Sequence, residues 1–348
     1  MELKETPDRM VEDGRINEFG AFRTPFRDVN ISEARITTAG RTMPGFYSRF
    51  RLKEWQHFGF IAPEIYFGFA IVNAKFLANS FCYFLDRETG AMVEHDRLAP
   101  PYVAKVARDI WRGECGFRFS GYDIRIENRL DEKRHTATVD IAARGDRPAI
   151  KAEVEVIEDL DRVQPLELIS ILRGDRPAYT HKVACPAAGK VTVGGKTHEF
   201  GESEGIAIID VQKTFFPYTS FWHWATFGGH DPDGRLVALN TSRGINIRTD
   251  EFHDNVLWVD GRMSFLGMPG FTFDESNVLD PWHIDAPDSF RLEFQPLGER
   301  CGKVNVGIIM SDFHQPFGTF RGTATDSAGT VHEIDDYFGV VEFHRARY

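Results

Sequence analysis

The chain has 348 residues, 42% hydrophobic and 27% charged, enough apolar material for two cores and an ordinary composition for a soluble protein. Its net charge of −11, with no strongly basic run, excludes a phosphate-binding surface, so no nucleic-acid partner is expected. Cys82, Cys115, Cys185 and Cys301 lie far apart with no C-x-x-C pair, which argues against a zinc knuckle or redox pair and predicts reduced, mostly buried thiols.

Residues 1–45 are interrupted by Pro7, Gly14, Gly20, Pro25, Gly40, Pro44 and Gly45, and are expected to be irregular, covering the fold or closing one end of a barrel. The first stretch, MELKETPDRMVEDG, is polar and lacks a signal-peptide core. No apolar run nears the ~18 residues of a membrane span, so the expected location is cytoplasmic, with at most peripheral membrane contact.

From Tyr47 onward strand signals dominate. Phe58–Phe69 and Phe76–Leu85 are aromatic-rich, and Asp86-Arg87-Glu88-Thr89-Gly90 is a turn. Pro101–Trp111 is the best helix candidate. Then Tyr122, Ile124 and Ile126 alternate with Asp123, Arg125 and Glu127. Past a turn at Asp131-Glu132-Lys133, Ala137, Val139 and Ile141 alternate with polar residues, as do Ile150, Ala152, Val154 and Val156. Such period-two runs are antiparallel strands with one wet face.

Gly194-Gly195, Asp231-Pro232-Asp233-Gly234, Asp260-Gly261 and Asp326-Ser327-Ala328-Gly329 predict further hairpins. Phe290, Leu292 and Phe294 form one alternating set, and Val304, Val306, Ile308 and Met310 another. The stretch 206–246 is the centre of the chain: two apolar runs flank an aromatic run with Trp222, His223 and Trp224. A short echo relates Trp55-Gln56-His57-Phe58 to Trp222-His223-Trp224-Ala225 and supports two like domains. The expected division is 1–45, 46–185 and 186–348, and short strands at this spacing mean sandwiches or closed barrels.

A larger set of residues resembles the bacterial family known as domain of unknown function 2804, over most of the chain. It comprises Asp210, Phe216-Pro217-Tyr218, Trp222-x-Trp224-Ala225, Gly228, Asn240, Asp254-Asn255, Trp258-Val259-Asp260-Gly261 and Pro281-Trp282. It closes with Phe313-His314-Gln315-Pro316-Phe317-Gly318, Gly339 and Glu342. Two positions depart from the family pattern: His223 replaces the usual Asn between the tryptophans, and Asp254 replaces a Glu. The family is similar to lipocalin-like (calycin) barrels, whose company includes carotenoid 1,2-hydratase and lipocalin-like cyclases. The resemblance implies an all-β fold of two such barrels in tandem and an apolar cavity.

His223 is the first candidate for chemistry, since imidazole titrates near neutral pH. Successive strand side chains point to opposite faces, so His223 and its two tryptophans share one cavity only if a bulge intervenes. Among the carboxylates, Asp210 ends an apolar run and Asp254 precedes the Val256–Val259 strand, where apolar surroundings favour a protonated carboxyl. Asp280 before Pro281 reads as turn chemistry, and Tyr337 as a rim residue. His223, Asp210, Asp254 and Tyr218 are the expected catalytic group, and Trp222, Trp224, Phe227, Asn240, Trp258, Trp282 and Glu342 the substrate-binding group.

Neither His283 with Asp285 nor His253 with Asp254 finds a third ligand at metal spacing, and no H-E-x-x-H, G-x-G-x-x-G, P-loop or G-x-S-x-G string occurs. No metal and no cofactor are therefore expected. The functional expectation is a cofactor-independent enzyme on an isoprenoid, lipid or polyketide-like molecule, working by acid–base hydration, isomerisation or cyclisation. The alternative is a non-catalytic carrier of such a hydrophobe. A homodimer is compatible with either.

Overall fold

The computed structural model describes residues 1–245, 251–305, 307 and 309–347. It is nearly all β, as expected, with a single α-helix, Gly45–Arg51, among the described residues. The chain forms two compact units. One comprises Leu3–Ile169 and Pro177–Phe215; the other comprises Met1–Glu2, Ser170–Arg176 and Phe216–Tyr348. The expected junction at 185/186 lies inside the strand Arg176–Val193, because the long hairpin Arg176–Val193 and Lys196–Thr214 completes the first sheet.

In the first unit the strand Lys53–Ile61 opens a meander that continues through Ile65–Asn73, Ala78–Asp86 and Met92–Ala99. The opening strand also pairs on its other edge with Lys196–Thr214, register Lys53 to Thr214, which curls the sheet. Beyond that lie Arg176–Val193, Ile150–Val156, Arg134–Ile141, Tyr122–Arg129 and Gly113–Arg118. The second sheet repeats the plan. Thr219–His230 opens a meander through Leu236–Arg243, Val256–Val259 and Arg262–Phe265, and pairs on its other edge with the last strand, Val331–Arg347. Met310–Thr325, Phe290–Asn305, Trp282–Ala286 and Gly270–Thr272 follow. Each is a curled half-barrel of calycin type.

Period two does what it should. Tyr122, Ile124 and Ile126 are buried and Arg125 exposed, while Phe290, Leu292 and Phe294 are buried between exposed Arg291, Glu293 and Gln295. The turns also follow their residues. Gly194 and Gly195 have φ of 58° and 92°, and Asp260 and Gly261 have 49° and 78°, the left-handed pairs that two-residue hairpins need.

Three expectations change. Pro101–Trp111 is not a helix: one 3₁₀ turn, Pro101–Val103, leads into the strand Ala104–Lys105, which pairs with Gly116 and Phe117. The Asp109 carboxylate then caps Trp111 N and Arg112 N at 2.9 and 3.2 Å, a local turn that competes with helix. The set Val304, Val306, Ile308, Met310 is not one strand. Asn305 ends one strand and Met310 starts the next, paired to each other, and Val306 and Ile308 lie outside the described residues. Residues 1–45 do more than cover the fold: Met10, Val11, Phe22, Phe26, Val29, Ile31 and Ile36 enter the first core.

Candidate functional site

The rows of the second sheet decide what shares a face. One row runs across five strands as Cys301, His314, Phe343, His223 and Arg243. Its neighbours toward the centre include Ala225, Val341, Phe227 and Leu239, members of the apolar core. The opposite face carries Trp222 beside His344, and Trp224 beside Glu342 and Ser242. No bulge intervenes between Trp222 and Trp224, so His223 points away from both, as alternation requires.

On the core-facing side, His223 is half-buried among rings. Phe271, Phe273 and Phe343 lie 5.4, 5.3 and 5.5 Å from it, centroid to centroid, and Phe221 at 6.2 Å. Burial pulls its pKa below the ordinary imidazole value; Glu275 opposes this, and Arg243 and Arg345 reinforce it. The ring is neutral at neutral pH. Trp282 and Phe227 belong to the same core. Trp282 is fully buried, stacks on Phe273 at 3.6 Å and 3°, and donates Nε1–H to Val278 O at 2.9 Å.

The opposite face holds two polar chains. In the first, Glu342 accepts from Trp222 Nε1 at 2.6 Å and from Gln315 Nε2 at 2.8 Å. Arg300 Nη1 donates to Gln315 Oε1 at 3.2 Å, and His344 Nδ1 lies 3.6 Å from Glu342. Burial pushes this carboxyl up, but His344, Trp222 and Arg300 together outweigh it and hold the group below the usual range, so it is ionised. In the second chain, Trp224 Nε1 donates to Asn240 Oδ1 at 2.8 Å, Asn240 Nδ2 to Asp254 O at 2.6 Å, and Ser242 Oγ–H to Asp254 Oδ1. Trp258 is fully buried in this sheet, opposite Ala238 and Met263.

The expected residues therefore divide. Trp222, Trp224, Asn240, Asp254 and Glu342 come together on one face. His223, Phe227 and Trp282 lie on the other. Tyr218 is about half exposed, just before the opening strand. Asp210 belongs to the first unit, on the closing strand of its sheet, opposite His57 and Lys182, with Lys182 Nζ at 3.6 Å. His57 occupies the place in the first sheet that Trp224 holds in the second, and Asp210 the place of Glu342. With the echo aligned, each sheet sets a carboxylate on its closing strand against a ring on its opening strand.

Sequence reasoning missed two groups. Gln315 and Arg300 are brought to Glu342 only through the registers of the three long strands, although Gln315 stood in the family motif. The other is a buried array in the first unit. His135 Nε2 lies 2.8 Å from Glu158 Oε2, His181 Nε2 3.4 Å from Glu158 Oε1, and His181 Nδ1 2.9 Å from Glu167 Oε2, all four side chains being buried. Burial pushes the His181 imidazole down, but Glu158 and Glu167 overcome this and hold it well up. Burial likewise pushes Glu158 up, and His181 and His135 bring it well down. Nothing in the sequence spacing of these residues announces the contact.

Two surface depressions of about 420 and 660 Å³ lie in the first unit, one at Asp96, Leu98 and Phe119, the other at Lys105, Arg112 and Arg129; neither includes a candidate residue. No described helix is long and apolar enough to cross a membrane.

Among solved structures, CghA with Sch210972 matches 98% of this chain and 97% of its own, at a TM-score of 0.60 and 10% identity. CghA alone gives the same coverage and TM-score at 11% identity. Kievitone hydratase from Nectria haematococca matches over 85% and 88% at a TM-score of 0.49 and 10% identity. At these identities the likeness to CghA is one of fold. No curated protein matches the sequence. The family model described as domain of unknown function 2804 covers residues 1–348, and the chain belongs to that family.

Proposed function

We propose that the protein is an enzyme that acts on an apolar small molecule, of isoprenoid, lipid or polyketide type, by acid–base hydration, isomerisation or cyclisation. The observation behind this reading is His223, a neutral imidazole on the core-facing side of the second half-barrel, ringed by Phe221, Phe271, Phe273 and Phe343. A neutral imidazole can accept a proton at one nitrogen and donate from the other. Aromatic walls exclude water and favour cationic character in a ligand. His223 is then the general base that takes a proton from water or from carbon and returns it. Trp282 and Phe227 would shape the apolar wall. Asp254 and Glu342, with Trp222, Trp224, Asn240 and Trp258, form a second polar face whose role in this reading is to support the strands that present His223. Asp210 and Tyr218 are assigned no step.

The fold shared with CghA, whose crystal structure is one with Sch210972, agrees with a small-molecule ligand. The test begins with native mass spectrometry of the purified protein to capture a co-purified hydrophobe. That compound and its close analogues are then offered to wild type and His223→Ala. Loss of turnover by ~100–10,000-fold with ligand binding retained is expected. Binding without turnover in the wild type would make the protein a carrier instead.

A further inference from the structure

We infer that Glu299, Cys301 and His314 form a binding site for one zinc-class divalent cation. Among the described residues these three side chains each bring a ligand atom within 4.8 Å of the other two. The strand pairing produces the cluster: Cys301 sits directly opposite His314, and Glu299 lies two residues back on the same face. A bulge between Pro296 and Gly298 sets this register, and the pairing spans a long hairpin. That is why no short motif marks it.

The donor set is a thiol, an imidazole and a carboxylate. This mixture suits a borderline-soft ion, whereas magnesium and calcium prefer all-oxygen sites. In a tetrahedral site with metal–ligand bonds of ~2.0–2.3 Å, donors stand ~3.3–3.8 Å apart. From separations of up to 4.8 Å, closing the cluster needs side-chain adjustments of at most ~1.5 Å, within the rotamer freedom of an exposed Cys301 and a half-buried Glu299 and His314. Glu299 Oε2 is already 3.1 Å from His314 Nδ1. Asp312 Oδ1 lies 3.8 Å from His314 Nε2, so each ring nitrogen has a carboxylate. With the metal on Nδ1, beside Glu299, Nε2 still faces Asp312, an acidic neighbour of the kind that orients metal-bound imidazoles. Asp312 is itself held by Lys303 Nζ at 2.5 Å.

Three protein donors leave a fourth position for water, and the ion reaches it directly because Cys301 is exposed. The ring of His314 also stacks on Phe343 at 6.2 Å and 19°, which fixes its plane. Binding replaces the thiol proton, which leaves to solvent, and the Glu299–His314 contact gives way to two metal bonds.

The test uses the full chain, stripped with a chelator and desalted. One equivalent of Co²⁺ should produce a thiolate-to-cobalt charge-transfer band. Cys301→Ser should abolish the band, and His314→Ala and Glu299→Gln should each weaken Zn²⁺ binding at least tenfold in competition with a chromogenic chelator. His283→Ala, at an exposed histidine elsewhere in the sheet, should change nothing. A measurement without variants runs alongside. Zn²⁺ but not Mg²⁺ should slow alkylation of Cys301 at least tenfold, read by mass spectrometry. Absence of the charge-transfer band, or equal alkylation rates with and without Zn²⁺, would overturn the assignment.

Discussion

Glu158 and His181 are opposite charges with fully buried side chains, and their shifted titrations should make the stability of the first unit depend on pH. His181 has a folded pKa raised above its unfolded value, so its contribution is complete below about 6.5 and is lost as pH rises through the raised value. Glu158 is depressed, so its contribution is present above about 4.5 and is lost as pH falls through the lowered value. The stability of this unit should therefore peak between these limits and decline above neutrality, measured by urea melts from pH 5 to 9. Glu158→Gln should cost about 3–5 kcal/mol at pH 6 and flatten the alkaline decline, because a buried imidazolium loses its counter-ion. An unchanged alkaline slope in that variant would show that other groups govern the dependence. The tryptophans make a second contrast. Trp282 is fully buried and stacked, so Trp282→Ala should cost ~3–5 kcal/mol. Trp222 is partly exposed, and Trp222→Ala should cost less, about 1–3 kcal/mol, chiefly through the Glu342 acceptor it leaves short of a donor. Denaturant melts of both variants decide the order.

At the scale of strands, two glycines of the family motif show why the seam of the second sheet closes. Gly318 and Gly339 pair with each other. A Cβ on Gly339 would stand 2.0 Å from Thr226 O, and one on Gly318 the same distance from Gln295 O. Backbone cannot retreat there without breaking the ladder. Gly339→Ala should destabilise by about 3 kcal/mol, at the upper end for overpacking. Gly116→Ala, with open space around it and no positive φ, should stay within ±0.5 kcal/mol in the same thermal melt. Strand existence was legible because one wet face and one dry face impose period two on the letters. Hairpin turns were legible because left-handed backbone selects Gly, Asn and Asp. Partners across long hairpins were not. Gln315 meets Glu342, and Cys301 meets His314, by register alone; a one-residue shift at the Pro296/Gly298 bulge would give Cys301 a different partner, and one at Phe320/Gly322 would do the same for Gln315. The opposition of His223 to its tryptophans followed from alternation, but which face was the core did not, since both faces bear buried aromatics.

Across the whole molecule the two sheets share one plan: a four-strand meander whose first member also binds the last long strand of its unit. The short echo at Trp55 and Trp222 was the visible trace of that plan in the sequence. The rest is carried by topology and by unlike residues at like places, such as Asp210 and Glu342. The unit boundary was harder to read, because the hairpin Arg176–Val193 and Lys196–Thr214 looks in the sequence like the start of a second domain yet finishes the first sheet.

That plan also fixes an order of events during synthesis. In each sheet the opening strand waits for its partner: Lys53 for Thr214, and Thr219 for Arg347. Until the late strand leaves the ribosome, the early meander has an unpaired edge bearing Phe58 and Phe60 in the first sheet and Phe221, Trp222, Trp224 and Phe227 in the second, a template for the wrong neighbour. Pairings this distant in sequence are slow to form, since the loop entropy is lost before any contact rewards it. The nascent chain is thus exposed to aggregation twice, once for each half-barrel; chaperone capture before Thr214 and before Arg347 should raise its soluble yield, and slower translation there should lower it.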